Sequence, residues 1–93
     1  MTDLEISRAL ALAIGWKTVT TSDKVVRVGT GSGWRIFDYK FWTIAGPIAE
    51  KFDAFPGKSD RGWDAYSPVL GYFVEADTPQ KAIALAMIQG VKK

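Results

Sequence analysis

The spacing of apolar residues predicts a helix at the start of the chain. Apolar side chains recur at helical spacing between Ile6 and Ile14 and would share one face of that helix. Thr2 and Glu5 have the spacing of a capping box, in which each side chain bonds the other residue's backbone. Gly15 stands where a helix commonly ends in a left-handed residue. We therefore predict a first helix from Thr2 to Gly15.

Strand-like patterns follow the first helix. Residues 22–24 are typical of a turn, and the glycine-rich segment 29–33 is typical of a loop. The third strand would place Trp34 and Ile36 on one side and Phe37 and Tyr39 on the other. Trp16 and Trp34 are expected between the sheet and the helices. The three predicted strands cover residues 16–20, 25–28 and 34–39.

A second helix and two further strands are predicted in the second half. Proline is favoured in a first helical turn, so the helix is expected to begin near Pro47 and to end before Pro56-Gly57. A polar loop at 58–62 would lead to strands at 63–67 and 70–76. In the last strand one face is expected to carry Leu70, Tyr72, Val74 and Ala76.

The final helix has the clearest boundaries. Thr78 is the expected N-cap, Pro79 the first helical residue and Gly90 the end. Residues 82–88 are apolar around the whole circumference, and a small domain has little capacity to surround such a helix. Exposed apolar area usually marks an interface, so a homodimer through this C-terminal helix is one expectation.

The chain resembles the phage ABA sandwich domain family of small bacteriophage proteins. The similarity lies in Gly15-Trp16 after the first helix, in residues 75–79 leading into the alanine-rich helix at Ala82, and in the middle segment 48–52. The resemblance implies a small antiparallel sheet with helices on both faces. It brings no agreed activity and no catalytic residues. With the α, strands, α, strands, α order, we predict an α+β fold with one sheet of four or five strands.

Length and composition narrow the function classes. The 93 residues suit a single domain, 1–93, and 47% hydrophobic with 24% charged residues suits a packed core. Without cysteine or histidine there can be no disulfide, no Cys/His zinc site and no Ser-His-Asp triad. The acidic start and the short apolar runs do not match a signal peptide or a membrane span. We expect a protein of the host cytoplasm, without a cofactor, a metal or a membrane contact.

Three motifs invite a chemical interpretation. Gly29, Gly31 and Gly33 do not have the spacing of a dinucleotide-binding loop. Gly57-Lys58-Ser59 matches the end of a phosphate-binding loop, but Phe52 stands where its first glycine should be. Carboxylate pairs in 50–53 and 60–64 could hold Mg²⁺ or serve in acid–base catalysis, although solvated surface charge is the simpler interpretation.

Aromatic residues are the unusual feature. Four of the residues are Trp, and 13% are aromatic. Exposed Trp, Tyr and Arg are enriched at protein interface hot spots, and they also stack and neutralise single-stranded nucleic acid. The alternative is that they fill a thin core. The predicted partner-binding residues are Arg35, Lys40, Trp42, Arg61 and Trp63.

The sequence therefore favours a phage accessory protein that is not an enzyme and that binds a macromolecule. A host protein is the first expectation, with an inhibitor of bacterial defence as one sub-class. The alternative is a nucleic-acid or nucleotide binder that uses the same basic and aromatic residues. A carboxylate-dependent enzyme that uses Asp60 is the third hypothesis.

Overall fold

Three helices alternate with two groups of three strands in a computed structural model of the chain, which describes residues 2–68 and 71–92. In chain order the elements are α1 (Asp3–Ala13), β1 (Val19–Ser22), β2 (Val25–Thr30), β3 (Gly33–Ile36), α2 (Trp42–Phe52), β4 (Pro56–Ser59), β5 (Gly62–Ser67), β6 (Tyr72–Ala76) and α3 (Pro79–Lys92).

Both predicted ends of α1 are confirmed. The Glu5 N–H donates to Thr2 Oγ1 over 3.2 Å, and the Thr2 N–H donates to a Glu5 carboxylate oxygen over 2.9 Å. At the other end Gly15 has φ of 105° and Trp16 N–H donates to Ala11 C=O over 3.0 Å. These bonds form a Schellman motif, which requires the positive φ that glycine tolerates.

The first sheet is an antiparallel meander in the order β1-β2-β3. Asp23 and Lys24 have φ of 50° and 62°, as the two central residues of a type I′ hairpin turn require. The predicted hairpin is therefore confirmed. Residues 31–32 connect β2 to β3 as a second tight hairpin, which is the structural role of the glycine-rich segment.

The predicted start of the second helix is wrong. α2 begins at Trp42, its N-cap Phe41 has no side-chain capping bond, and Pro47 lies inside the helix. It ends at Asp53 in the left-handed conformation. Burial of one face outweighs the proline signal, because Ala45, Ile48 and Ala49 are buried and α2 packs against α3.

The second sheet contains a strand that the sequence did not predict. β4 occupies residues expected to end a helix and form a polar loop, and it pairs antiparallel with β5. β6 pairs with the other side of β5, giving the order β4-β5-β6. Trp63 lies opposite Ala76, and Ala65 opposite Val74, on the face that α3 covers. The predicted contribution of Leu70 to this face lies outside the described residues.

α3 begins as predicted and ends later than predicted. The Lys81 N–H donates to Thr78 Oγ1 over 3.2 Å, so Thr78 is the N-cap. Gly90 does not end the helix, which continues to Lys92, and Gly90 itself is buried. The packing of α3 against the rest of the protein outweighs the low helix propensity of glycine at this position.

The α+β class is confirmed, but the predicted single sheet of four or five strands with helices on both faces is not. In residues 2–68 and 71–92, six strands form two sheets, and helices α1 and α3 lie between them. α1 covers the first sheet, α3 covers the second, and the two helices pack on each other. This arrangement surrounds α3, which a single sheet could not do.

Two leucines of α1 give a matched test of this packing. Leu10 is 0% exposed in the core and Leu12 is 48% exposed. Leu10→Ala should lower the free energy of unfolding by about 2–5 kcal/mol, because it leaves a cavity. Leu12→Ala should lower it by less than about 1 kcal/mol, since little area is lost from the core. Urea unfolding measures both, and equal losses would contradict the arrangement of α1.

Candidate protein-binding surface

The segment between β3 and α2 is fixed to α1 by a buried tyrosine. Tyr39 N–H donates to Ser7 Oγ over 3.1 Å, and Tyr39 O–H donates to Asp3 Oδ1 over 2.7 Å. Phe37 is buried next to it, and Phe37 N–H donates to Val26 C=O over 2.8 Å. These bonds hold the part of the chain that lies between the exposed residues of β3 and those at the start of α2.

The tyrosine and the aspartate shift each other's pKa. The hydrogen bond from Tyr39 lowers the pKa of Asp3, and the nearby charges of Lys40 and Lys81 lower it further. Burial raises the pKa of Tyr39, and the bond to Asp3 raises it further. The pair is therefore in its bonded form, with a neutral phenol and an ionised carboxylate, across the neutral pH range.

Lys40, one of the predicted partner-binding residues, is exposed, but its charge is shared between two carboxylates. Lys40 Nζ lies 3.7 Å from Asp3 Oδ2 and 3.8 Å from Asp38 Oδ2. The Gln80 side chain donates to Lys40 C=O over 3.1 Å, which also ties this segment to α3. Lys40 thus offers a partner less positive charge than its sequence context suggested.

Four large apolar side chains are exposed around this anchored segment. Trp34, Ile36, Phe41 and Trp42 are each between 51 and 55% exposed. Ile36, Lys40 and Phe41 line one side of a groove of about 330 Å³, and the other side comes from α1 and the start of β2. We define the β3–α2 surface as Trp34, Arg35, Ile36, Lys40, Phe41 and Trp42.

The expectation that Trp34 fills the core is wrong. The β3 register places it opposite Gly29 on the face of the first sheet that points away from α1. A Cβ on residue 29 would lie 3.6 Å from Trp34 Cζ3 and 3.1 Å from Thr18 Cβ, so the indole packs across the glycine. Trp16 is half-buried against the core, as expected. Arg35, on the opposite face from Trp34, is exposed.

The other two predicted residues belong to the second sheet. Arg61 is exposed in the turn between β4 and β5. Trp63 is half-buried on the face that α3 covers, with Lys58 Nζ 4.9 Å from its ring centre. The predicted set is therefore divided between the two sheets, and only Arg35, Lys40 and Trp42 belong to the β3–α2 surface.

A second group of exposed aromatic residues was not predicted. Tyr66 lies opposite Phe73 on the outer face of the second sheet, and continuing the β4 register brings Phe55 opposite Tyr66. This aromatic row is between 50 and 60% exposed. Two carboxylates, Asp64 and Glu75, lie opposite each other beside it. The alternation of side chains along β5 and β6 is the sequence signal that predicts this second exposed face.

The C-terminal helix offers little surface for a homodimer. In the described part of α3, the residues from Ala82 to Ile88 are buried except for half-buried Leu85. The exposed apolar side chains along α1 and α3 are Leu12 and Val91, which line a groove of about 320 Å³. The premise of a wide uncovered apolar helix is therefore corrected, because α3 is covered within one chain.

The phosphate and metal motifs have structural positions. Gly57-Lys58-Ser59 lies in β4, so it does not open a helix towards a phosphate. Within residues 2–68 and 71–92 no three acidic side chains converge as a cation site. None of the helices in the described part of the chain is long and apolar enough to cross a bilayer.

Two comparisons with known proteins gave no match. No protein-family model matches the chain, and no curated protein sequence matches it. The resemblance to the phage ABA sandwich domain family remains a prediction.

The bond between Tyr39 and Asp3 predicts a pH-dependent stability. Tyr39→Phe should lower the free energy of unfolding by about 1 kcal/mol at pH 7. A carboxyl with a lowered folded pKa stabilises above its unfolded pKa, so this difference should shrink as pH falls below 3.8. A phenol with a raised folded pKa loses its stabilising effect as pH rises, so the difference should also shrink above pH 10.0.

Chemical denaturation of both proteins from pH 2 to pH 11 measures this difference. Tyr66→Phe is the matched control, because that tyrosine is exposed and lies on the second sheet. A difference between wild type and Tyr39→Phe that stays constant with pH would contradict the described bond.

Proposed function

We propose that this chain is a small binding protein that is not an enzyme and that takes a host protein as its partner through the β3–α2 surface. One observation carries the proposal. Four large apolar side chains are more than half exposed within residues 34–42, beside a groove. Four such side chains within nine residues exceed the singly scattered apolar residues of an ordinary surface.

The anchoring of the segment supports binding. Bonds at Phe37, Tyr39 and Lys40 hold the backbone between the two pairs of exposed apolar side chains. A surface that is already ordered loses less conformational entropy when a partner binds. Trp and Arg are also the residues most enriched at interface hot spots, and this surface contains two Trp and one Arg.

The setting of the proposal comes from the resemblance to small phage proteins. It suggests an accessory protein in the cytoplasm of a bacterial host, with inhibition of a bacterial defence protein as one form of the function. Small domains of this kind act by occupying a surface of the target. That step is an analogy between folds and functions.

Nucleic-acid binding remains the alternative function. Arg35 and Trp42 would serve it, but Lys40 is paired with two carboxylates and Trp63 is half-buried. The outer face of the second sheet carries Asp64 and Glu75, which would repel phosphates. Retention on single-stranded DNA that falls steeply with salt would favour this alternative over protein binding.

The β3–α2 surface can be tested by paired substitutions. Phe41→Ser with Trp42→Ser should weaken the binding of a captured host protein by at least about 2 kcal/mol, roughly thirtyfold, because hot-spot side chains are lost. The tagged protein and its variants would capture partners from a bacterial host lysate. The affinity for each purified partner would then be measured by calorimetry.

The matched control is Tyr66→Ser with Phe73→Ser, which removes two equally exposed aromatic side chains from the other sheet. We expect this variant to keep the partner. Loss of the partner in the control alone would move the interface to the aromatic row. Thermal melting of both variants excludes unfolding as the cause.

A further inference from the structure

Strand β3 is an edge strand with unpaired backbone groups. It is the last strand in the order β1-β2-β3, and all four of its residues are exposed. Phe37 N–H donates to Val26 C=O, and Gly33 C=O accepts from Thr30 Oγ1, so residues 33 and 37 turn their backbone groups towards β2. Backbone direction alternates along a strand. The N–H and C=O groups of Trp34 and Ile36 therefore point away from the sheet.

The side chains of β3 determine which residues a strand added at this edge should carry. Trp34 and Ile36 lie on the outer face of the sheet, and Arg35 lies on the opposite face. Within the part of the chain that the structure describes, Arg35 makes no ion pair. In an added antiparallel strand, the residue opposite Arg35 would be a non-hydrogen-bonded neighbour, whose side chain comes closest. An acidic residue at that position would pair with the guanidinium.

A second copy of this chain fits the edge poorly. Antiparallel pairing of two β3 strands about a two-fold axis at residue 35 would use the free groups of Trp34 and Ile36. It would also bring the two Arg35 side chains opposite each other, and like charges at such positions are destabilising. Arg35 thus opposes self-pairing and favours a strand of opposite charge.

We propose that the β3 edge binds an extended segment of the partner protein as a fourth, antiparallel strand. The segment has apolar residues opposite Trp34 and Ile36 and an acidic residue opposite Arg35. In the antiparallel direction, its preceding residues extend past Ile36 towards Phe41 and the groove. This inference rests on the proposed function and specifies the mode and chemistry of that binding.

A synthetic peptide tests the proposal directly. The probe is a capped seven-residue peptide, Leu-Thr-Val-Glu-Val-Thr-Ser, whose two valines and glutamate match the expected positions. Tryptophan fluorescence gives the affinity, and amide hydrogen exchange reports on individual backbone groups. Binding should slow the exchange of the Trp34 and Ile36 N–H groups. It should leave that of Arg35 unchanged, because this N–H already bonds to β2.

Charge exchange tests the role of Arg35. Replacing the peptide's glutamate by lysine should weaken binding on the order of tenfold. Arg35→Glu should reverse that preference without unfolding the protein, because the substituted position is exposed. Equal affinity of the two peptides for wild type would overturn the proposed pairing.

Backbone methylation tests the strand geometry. An N-methyl group on the valine opposite Trp34 removes an N–H that faces β3 and should weaken binding about tenfold. The same group on the glutamate faces away from β3 and is the matched control. Equal effects of the two methyl groups, or unchanged exchange at Trp34 and Ile36, would overturn the proposal.

Strand addition at β3 can be contradicted while the proposed function of the β3–α2 surface is supported. A host partner that is lost on Phe41→Ser with Trp42→Ser but kept at full affinity by Arg35→Glu would leave the surface as the binding site. The same result would overturn strand addition as its mode.

Discussion

The C-terminal helix imposes the main constraint on this structure. Residues 82–88 are apolar on every side, so exposing any face of that helix to water would cost free energy. The second sheet covers one side of α3, and α1 and α2 cover the others. α1 is itself apolar on its remaining face and is covered by the first sheet. Burial of the two packed helices thus requires both sheets, one for each helix.

Placing the sheets outside the helices leaves one face of each sheet in water. In a fold with helices on the outside, those faces would have been covered, and Trp34, Ile36, Tyr66 and Phe73 would belong to a core. Here they are exposed instead. The aromatic excess of the sequence therefore has two origins, since some rings fill a thin core and others lie on outer sheet faces. The hydrogen bonds between Tyr39 and α1 fix the segment that contains Phe37 and Phe41, the two aromatic residues that line the groove.

Local sequence signals predicted the helix ends correctly where neighbouring residues form the hydrogen bonds that cap the helix. The caps at Thr2, Gly15 and Thr78 depend on neighbouring residues only, and the structure confirms all three. The start of α2 and the strand β4 depend on distant contacts, and sequence patterns missed both. Trp42 was predicted as a partner residue and is exposed, whereas Trp63 is half-buried because α3 covers its face. Separating such residues requires knowing which element covers each face.

An exposed edge strand is usually a hazard, because it can pair with any other unpaired strand. β3 is short and carries a charge at its centre, which are two of the known protections against uncontrolled pairing. These protections are selective. A four-residue strand offers few backbone bonds, so a segment gains enough only if its side chains also fit Trp34, Ile36 and the groove. A positive charge at Arg35 disfavours a second copy and favours an acidic strand. The features that limit aggregation at this edge are thus the same ones that would give it a preferred partner.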